Sequence, residues 1–261
     1  MARVGTYNVR YITTEEDAVN NWENRKTRVV RSIRENDFDV FGLQECSPDI
    51  QTYLDSELSG TYAFRFFSPY VASGSGSGGQ AIGLAYKASK YTLSDWHYWW
   101  CGDTPSVMSV NDDPHKRGGC CAIFTSIATG TRFFVMVHHG CLDATAREQY
   151  APQFRQMEEQ YNPDGYPSFF VGDLNAQPSD PATAIYRQYW SDAYYSKASK
   201  SGPYCTYNAF NLDRNMYTHK NHLDYVYYRN ATPLRYVCND RLYDGYYASD
   251  HLPVYAEMKL D

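Results

Sequence analysis

The stretch Ser168-Phe169-Phe170-Val171-Gly172-Asp173-Leu174-Asn175-Ala176 opens as a short apolar run and closes on a polar cluster. A continuous apolar run of this length suits a strand covered on both faces, so its polar residues stand where the strand leaves the sheet. The pattern recurs along the chain. Thr6-Tyr7-Asn8-Val9 ends a strand expected over residues 4–9, and Leu43-Gln44-Glu45 ends an apolar run at 40–43. His138-His139 ends a run at 133–138. Asp224 opens one at 225–228, and Ser249-Asp250-His251 precedes a last strand at 253–259. Further strands are expected over 64–67, 81–86, 91–99, 121–127 and 235–238.

Helices are interspersed, over 24–36, 48–58, 144–160 and 181–189. In the first, Val29, Val30 and Ile33 share a face, and Arg25, Lys26, Arg28 and Arg31 read as its solvent face. In the second, Ser47 caps and Pro48 takes the first helical position. Strands that outnumber helices, with helices between them, predict an α+β fold. The expected architecture is a four-layer α/β/β/α sandwich, two packed mixed β-sheets flanked by helices, as a single domain over residues 1–261.

Composition narrows the function. The chain has 261 residues, 24 Lys plus Arg, 30 Asp plus Glu and a net charge of −6. With 43% hydrophobic and 16% aromatic residues, it is no disordered segment. No apolar run reaches the length of a membrane span. The chain opens Met1-Ala2-Arg3 without the pattern of a signal peptide, which leaves a cytoplasmic protein or a secreted one with its leader removed. The negative balance argues against avid, sequence-blind binding of long nucleic acid, which relies on neutralising phosphates. Seven cysteines with no C-x-x-C spacing read as buried thiols. The Gly/Ser-rich stretch from Ala72 to Gln80 reads as a loop, and it lacks the Lys-Ser/Thr of a phosphate-binding loop. Tyrosine is in surplus, at 26 residues, as half-buried sheet surface tolerates.

Each polar cluster alone has an ordinary explanation as a turn or helix cap. Together they place carboxylates, carboxamides and histidines at the ends of strands that should be sheet neighbours. Hard oxygen ligands suit Mg²⁺ or Mn²⁺ rather than zinc. Such a site, open to a substrate phosphate, fits metal-assisted phosphoester hydrolysis. His219 and His222, three apart, read as incidental loop histidines rather than a zinc pair.

The order Thr6-Tyr7-Asn8, Gln44-Glu45, Gly172-Asp173-Leu174-Asn175, Leu223-Asp224-Tyr225 and Ser249-Asp250-His251-Leu252-Pro253 resembles the endonuclease/exonuclease/phosphatase superfamily, of deoxyribonuclease I-like fold, over nearly the whole chain. Asn21-Trp22-Glu23-Asn24-Arg25-Lys26, Trp99-Trp100-Cys101-Gly102-Asp103-Thr104-Pro105 and Tyr204-Cys205-Thr206-Tyr207-Asn208-Ala209-Phe210 are similar to segments of a bacterial, nocturnin-like branch. The resemblance implies Glu45 as main metal ligand, with Asn8 beside it and Asp250 reaching the metal. It implies that Asp173 aligns or deprotonates the attacking water and that Asn175 holds the nucleophile or a phosphate oxygen. His251 would contact the phosphate, oriented by Asp224, and His139 would be the second phosphate-contacting histidine. Where relatives carry Asn-Thr-His, this chain has Val137-His138-His139, so the register decides between His138 and His139. Arg117 matches an arginine that precedes this strand in relatives and would clamp a phosphate; a plain loop arginine is the other reading.

These readings converge on a Mg²⁺- or Mn²⁺-dependent phosphoesterase, taken as a monomer, for a small or short phosphate-bearing substrate. A non-specific nuclease, a catalytically silent binding module and a paired-carboxylate glycosidase are the alternatives. The module predicts eroded catalytic positions, whereas Asn8, Glu45, Asp173, Asn175, Asp250 and His251 are all present. The glycosidase does not explain the Asn and His partners.

Overall fold

The computed structural model describes residues 1–13, 18–69, 80–108 and 116–260. The Gly/Ser-rich loop expected from Ala72 lies outside them, except for Gln80. The α+β sandwich is the observed fold. One sheet has seven strands: β1 (Ala2–Asn8), β2 (Val40–Cys46), β3 (Tyr62–Phe67), β4 (Ala81–Lys87), β10 (Ser199–Ser201), β12 (Ala231–Cys238) and β13 (Val254–Leu260), in the order β10-β12-β13-β1-β2-β4-β3. The other has six: β5 (Tyr91–Trp100), β6 (Gly118–Ser126), β7 (Arg132–His139), β8 (Ser168–Asp173), β9 (Ser191–Asp192) and β11 (Asp224–Arg229), in the order β5-β6-β7-β8-β11-β9. Both are mixed, with β1–β2 and β7–β8 parallel at their centres.

Alternation within the central strands builds three apolar layers. Val4, Val40, Leu84, Val135, Val137, Val171 and Val226 fill the space between the sheets. The β-branched valines among them suit a pleated surface buried on both faces. Gly42 sits at the closest approach, where a Cβ would stand 2.6 Å from Val137 Cγ2 and 2.9 Å from Val171 Cγ2. Phe41 and Leu43, on the opposite face, pack with Val29, Ile33, Ile50 and Leu54 of helices α1 (Trp22–Asn36) and α2 (Pro48–Leu58). Phe134, Met136 and Phe170 pack with Phe154, Met157 and Tyr186 of helices α3 (Ala144–Tyr161) and α4 (Pro181–Tyr186).

Two local readings are corrected. Arg25 and Arg28 are buried, not solvent-facing. Arg25 falls three after Trp22 and four before Val29 on the buried stripe, so the helical period puts it inside. The fourth helix ends at Tyr186 rather than Tyr189, and the chain then turns into β9, an edge strand too short to show a period in sequence. All seven cysteines are buried free thiols. Among the described residues, no helix is long and apolar enough to cross a membrane.

Candidate active site

Strand register gathers the polar ends. Asn8 pairs with Gln44 across the parallel β1–β2 ladder, and His139 with Asp173 across the parallel β7–β8 ladder. Antiparallel β11 brings Asp224 opposite Asp173, and β13 starts beside the end of β1, so His251 arrives at the same edge. Parallel neighbours end together, which is why four separate sequence clusters meet at one end of the sandwich.

Glu45 reaches this end through an irregularity. Simple alternation would put it with Phe41 and Leu43, under the helices. Instead the β2–β4 register shifts between Leu43 and Cys46, and Glu45 takes a left-handed backbone with φ 62°. A non-glycine residue there costs on the order of 1 kcal/mol or more, a strain characteristic of functional sites. The shift turns Cys46 into the helix-side core and Glu45 into a pocket of about 350 Å³. That pocket is lined by Arg10, Glu45, Gln80, Arg117, His139, Asp173, Asn175, Tyr207, Asp250 and His251 among others.

Asp173 is the centre. Its Oδ1 accepts the Asn175 amide at 2.9 Å, and its Oδ2 accepts Asn8 Nδ2 at 2.9 Å. The same Oδ2 lies 3.4 Å from His139 Nε2 and 3.5 Å from His251 Nε2. Burial pushes the Asp173 carboxyl up, but His251 and His139 outweigh it and hold the group below the usual carboxylate range. Glu45 Oε1 accepts Asn8 Nδ2 and Oε2 accepts the Tyr11 amide, both at 2.9 Å. Against burial, His139, Asn8 and Arg10 lower its pKa as well. Asn8 Oδ1 accepts the Arg10 amide, which turns Nδ2 to the two carboxylates and lets it tie them together. Asp250 lies 3.7 Å from Arg10 Nε, and burial raises its carboxyl.

The two histidines differ. His251 Nδ1 donates to Asp224 Oδ2 at 2.8 Å. Burial opposes its charge, but Asp224 and Asp173 overcome that and raise His251 well above an ordinary imidazole. His139 Nδ1 lies 2.9 Å from Arg117 Nη1. A guanidinium only donates, so Nδ1 must accept and the ring proton sits on Nε2, facing Asp173. Burial and Arg117 both lower the His139 pKa. One imidazole is therefore charged and the other a neutral donor.

His138 points the other way, as a one-residue register change requires. It donates Nδ1 to the Gly118 carbonyl at 2.8 Å and packs on Phe154, 4.3 Å between ring centres. Turnover per molecule should fall about 100-fold or more in His139→Ala and stay near wild type in His138→Leu. Steady-state kinetics on both variants, corrected for folded fraction, checks this, and a larger loss in His138→Leu would reverse the assignment.

The structure thus brings together Asn8, Glu45, Arg117, His139, Asp173, Asn175, Asp224, Asp250 and His251. Arg117 is a buried partner of His139 and, at 3.4 Å, of Gln80. Three contributors were not foreseen. Arg10 lines the pocket with its guanidinium over the Tyr11 ring. Tyr207 bridges to His251 and packs on its ring at 4.9 Å. Arg25 donates to the carbonyls of Val9, Arg10 and Tyr11, pinning the turn that presents Asn8 and the Tyr11 amide. Arg25 has a sequence signal in its place on the helical stripe, and Tyr207 lies in the branch-like segment from Tyr204 to Phe210; Arg10 has none.

A family model described as the endonuclease/exonuclease/phosphatase family matches residues 5–251. The chain belongs to this family. Family members are phosphoester hydrolases, phosphatases and nucleases among them. Nocturnin of Drosophila melanogaster is 29% identical over 194 residues, 69% of this chain and 28% of that protein, so the chain spans under a third of this relative's length. The endonuclease/exonuclease/phosphatase of Bacteroides vulgatus has the same fold, with TM-score 0.90 at 23% identity over 100% of this chain and 99% of that one. So does a mannosyl-6-phosphatase of Bacteroides thetaiotaomicron, with TM-score 0.87 at 22% identity over 99% of each chain.

Proposed function

We propose that the chain is a divalent-metal-dependent phosphoesterase that hydrolyses a small or short phosphate ester by in-line attack of water. The observation that carries this reading is the ionised Asp173, set between the Nε2 atoms of one charged and one neutral imidazole. Charge favours a small substrate, since −6 overall gives a long polyanion little to grip. The likeness to a mannosyl-6-phosphatase points the same way.

The residues fit a hard cation. Glu45, His139 and Asp173 offer ligand atoms all within 4.8 Å of one another, and Asp250 is a further buried carboxylate of the same pocket. Glu45 and Asp250 would hold Mg²⁺ or Mn²⁺, and Asn8 would join them if its amide turned to present the carbonyl. When bound, the ion supplies Lewis-acid polarisation of the phosphate and partial neutralisation of these carboxylates.

The chain's own groups do the rest. Asp173 accepts an O–H of the attacking water and aims it. Its lowered pKa makes it act chiefly by orientation: as the water oxygen bonds to phosphorus the bond to the ester oxygen breaks, and the proton the water sheds passes to solvent or to that leaving oxygen. His251, charged and anchored by Asp224, donates from Nε2 to the charge growing on phosphorus-bound oxygen. His139 adds a neutral Nε2–H donor, held in that tautomer by Arg117. Asn175, with φ 49°, is fixed by its side-chain bond to the Gly140 carbonyl at 3.0 Å.

Turnover of bis-p-nitrophenyl phosphate or p-nitrophenyl phosphate should stop in excess EDTA and return with Mg²⁺ or Mn²⁺. Turnover indifferent to exhaustive chelation would overturn the metal dependence.

A further inference from the structure

A second cavity, of about 520 Å³, opens beside β9 at the edge of the six-stranded sheet. Its size falls within the range of small-molecule sites, about 300–1,000 Å³. Arg187, Asp192, Tyr195 and Tyr228 are among the residues that line it. None of these residues borders the catalytic pocket.

Asp192 is the informative group. It is only 6% exposed. Its Oδ1 accepts the Tyr194 amide at 2.9 Å, while its Oδ2 is buried with no hydrogen-bond partner. A buried acceptor left in this state is unfavourable, and a donor brought by a ligand would relieve it. Arg187 stands in the same wall and donates Nη2 to the Pro178 carbonyl at 2.8 Å. Its guanidinium carries further N–H groups able to reach an acceptor.

Three properties of the lining restrict the ligand. One arginine and one carboxylate side by side give no net charge to attract a phosphate or a cation. Donor and acceptor in one wall ask for a group that both accepts and donates, as a hydroxyl does. Tyr195, which is exposed, and half-buried Tyr228 offer ring faces and edges suited to the C–H face of a cyclic molecule with a polar rim. We propose that this cavity is a saccharide-binding site, in which Asp192 and Arg187 bind the hydroxyls of a sugar ring packed against the aromatic residues. An amino-acid zwitterion is the competing match for the Arg–Asp pair. The exposed Tyr195 ring beside the pair favours the sugar, since a small zwitterion has no extended C–H face to pack on it.

The cavity is nevertheless close to the catalytic pocket in sequence. Pro178 follows Asn175 by three residues, so the two Cα atoms are separated by no more than about 11 Å. The saccharide site does not depend on the phosphoesterase reading, because its test is binding to metal-free protein.

Isothermal titration calorimetry and saturation-transfer NMR with maltose, cellobiose and mannobiose test it. At least one of these sugars should bind at millimolar concentration. Affinity should fall about tenfold or more in Tyr195→Ala and in Asp192→Asn, the loss expected when a buried hydrogen bond or packed ring is removed. Tyr195 is 56% exposed, so its truncation leaves the fold intact and keeps the test decisive. No binding of any of the three, or binding undiminished in both variants, would overturn the proposal. Binding of glycine or alanine in place of the sugars would overturn it in favour of a zwitterion.

Discussion

Asp173→Asn should lower turnover by about 10³–10⁴-fold, the scale of losing a residue that orients the reacting groups of a hydrolase. The argument rests on what surrounds the carboxylate. Asn8 Nδ2, the Asn175 amide and two imidazole Nε2 atoms all face its oxygens. An asparagine can offer an acceptor on one side only, and its NH₂ on the other side would meet donors. The water would lose its acceptor, and His251 would lose one of the three carboxylates, with Asp224 and Asp250, that favour its protonated form. The variant should fold. Removing the charge gives up what His251 and His139 contribute, yet it also relieves repulsion between Asp173 and Asp224. Steady-state kinetics with Mg²⁺, beside a circular-dichroism melt, measures both. Near-wild-type turnover in a folded variant would remove Asp173 from the mechanism.

How far the sequence could carry this follows from which features have a period. The central strands are continuous apolar runs, and their polar ends mark where each leaves the sheet. Parallel neighbours end at one edge, so a list of strand ends was nearly a list of site residues. Glu45 illustrates the limit. It was identified by its place in an ordered motif, whereas alternation alone would have buried it beneath the helices. The bulge that redirects it has no local sequence signature in Leu43-Gln44-Glu45-Cys46. Arg10 and Tyr207 depend on tertiary contacts across the pocket, with no spacing to announce them. Arg25 was legible but misread, because a charged residue on an apolar stripe looks like an error in the stripe. It is buried because three backbone carbonyls replace its water. The two-residue strand β9 and the cavity beside it were beyond sequence reading, since both depend on where the chain turns after α4.

Asp224→Asn should be nearly as damaging, and its signature is in pH. The wild-type His251 is raised well above an ordinary imidazole. Burial lowers it, and Asp224 and Asp173 more than reverse that. Burial also lifts Asp224, to about 6, and the imidazolium beside it limits the rise, so both are ionised at neutral pH. An asparagine at 224 removes the larger charge and leaves burial to act. The His251 pKa must then fall. Activity that needs the imidazolium should be lost at lower pH than in the wild type, and turnover at neutral pH should drop about 10³–10⁴-fold. Stability has a matching sign. A histidine whose folded pKa is raised contributes stability that is fully present below its unfolded value, near 6.5, and is lost as pH rises through the folded pKa. The wild type should therefore lose stability through the alkaline range, and the variant should lose less of it. Denaturant melts of EDTA-treated protein from neutral to alkaline pH, with the His251 Cε1–H resonance followed by NMR, separate the two effects. An unchanged His251 titration in the variant would show that Asp224 sets neither its charge nor its tautomer.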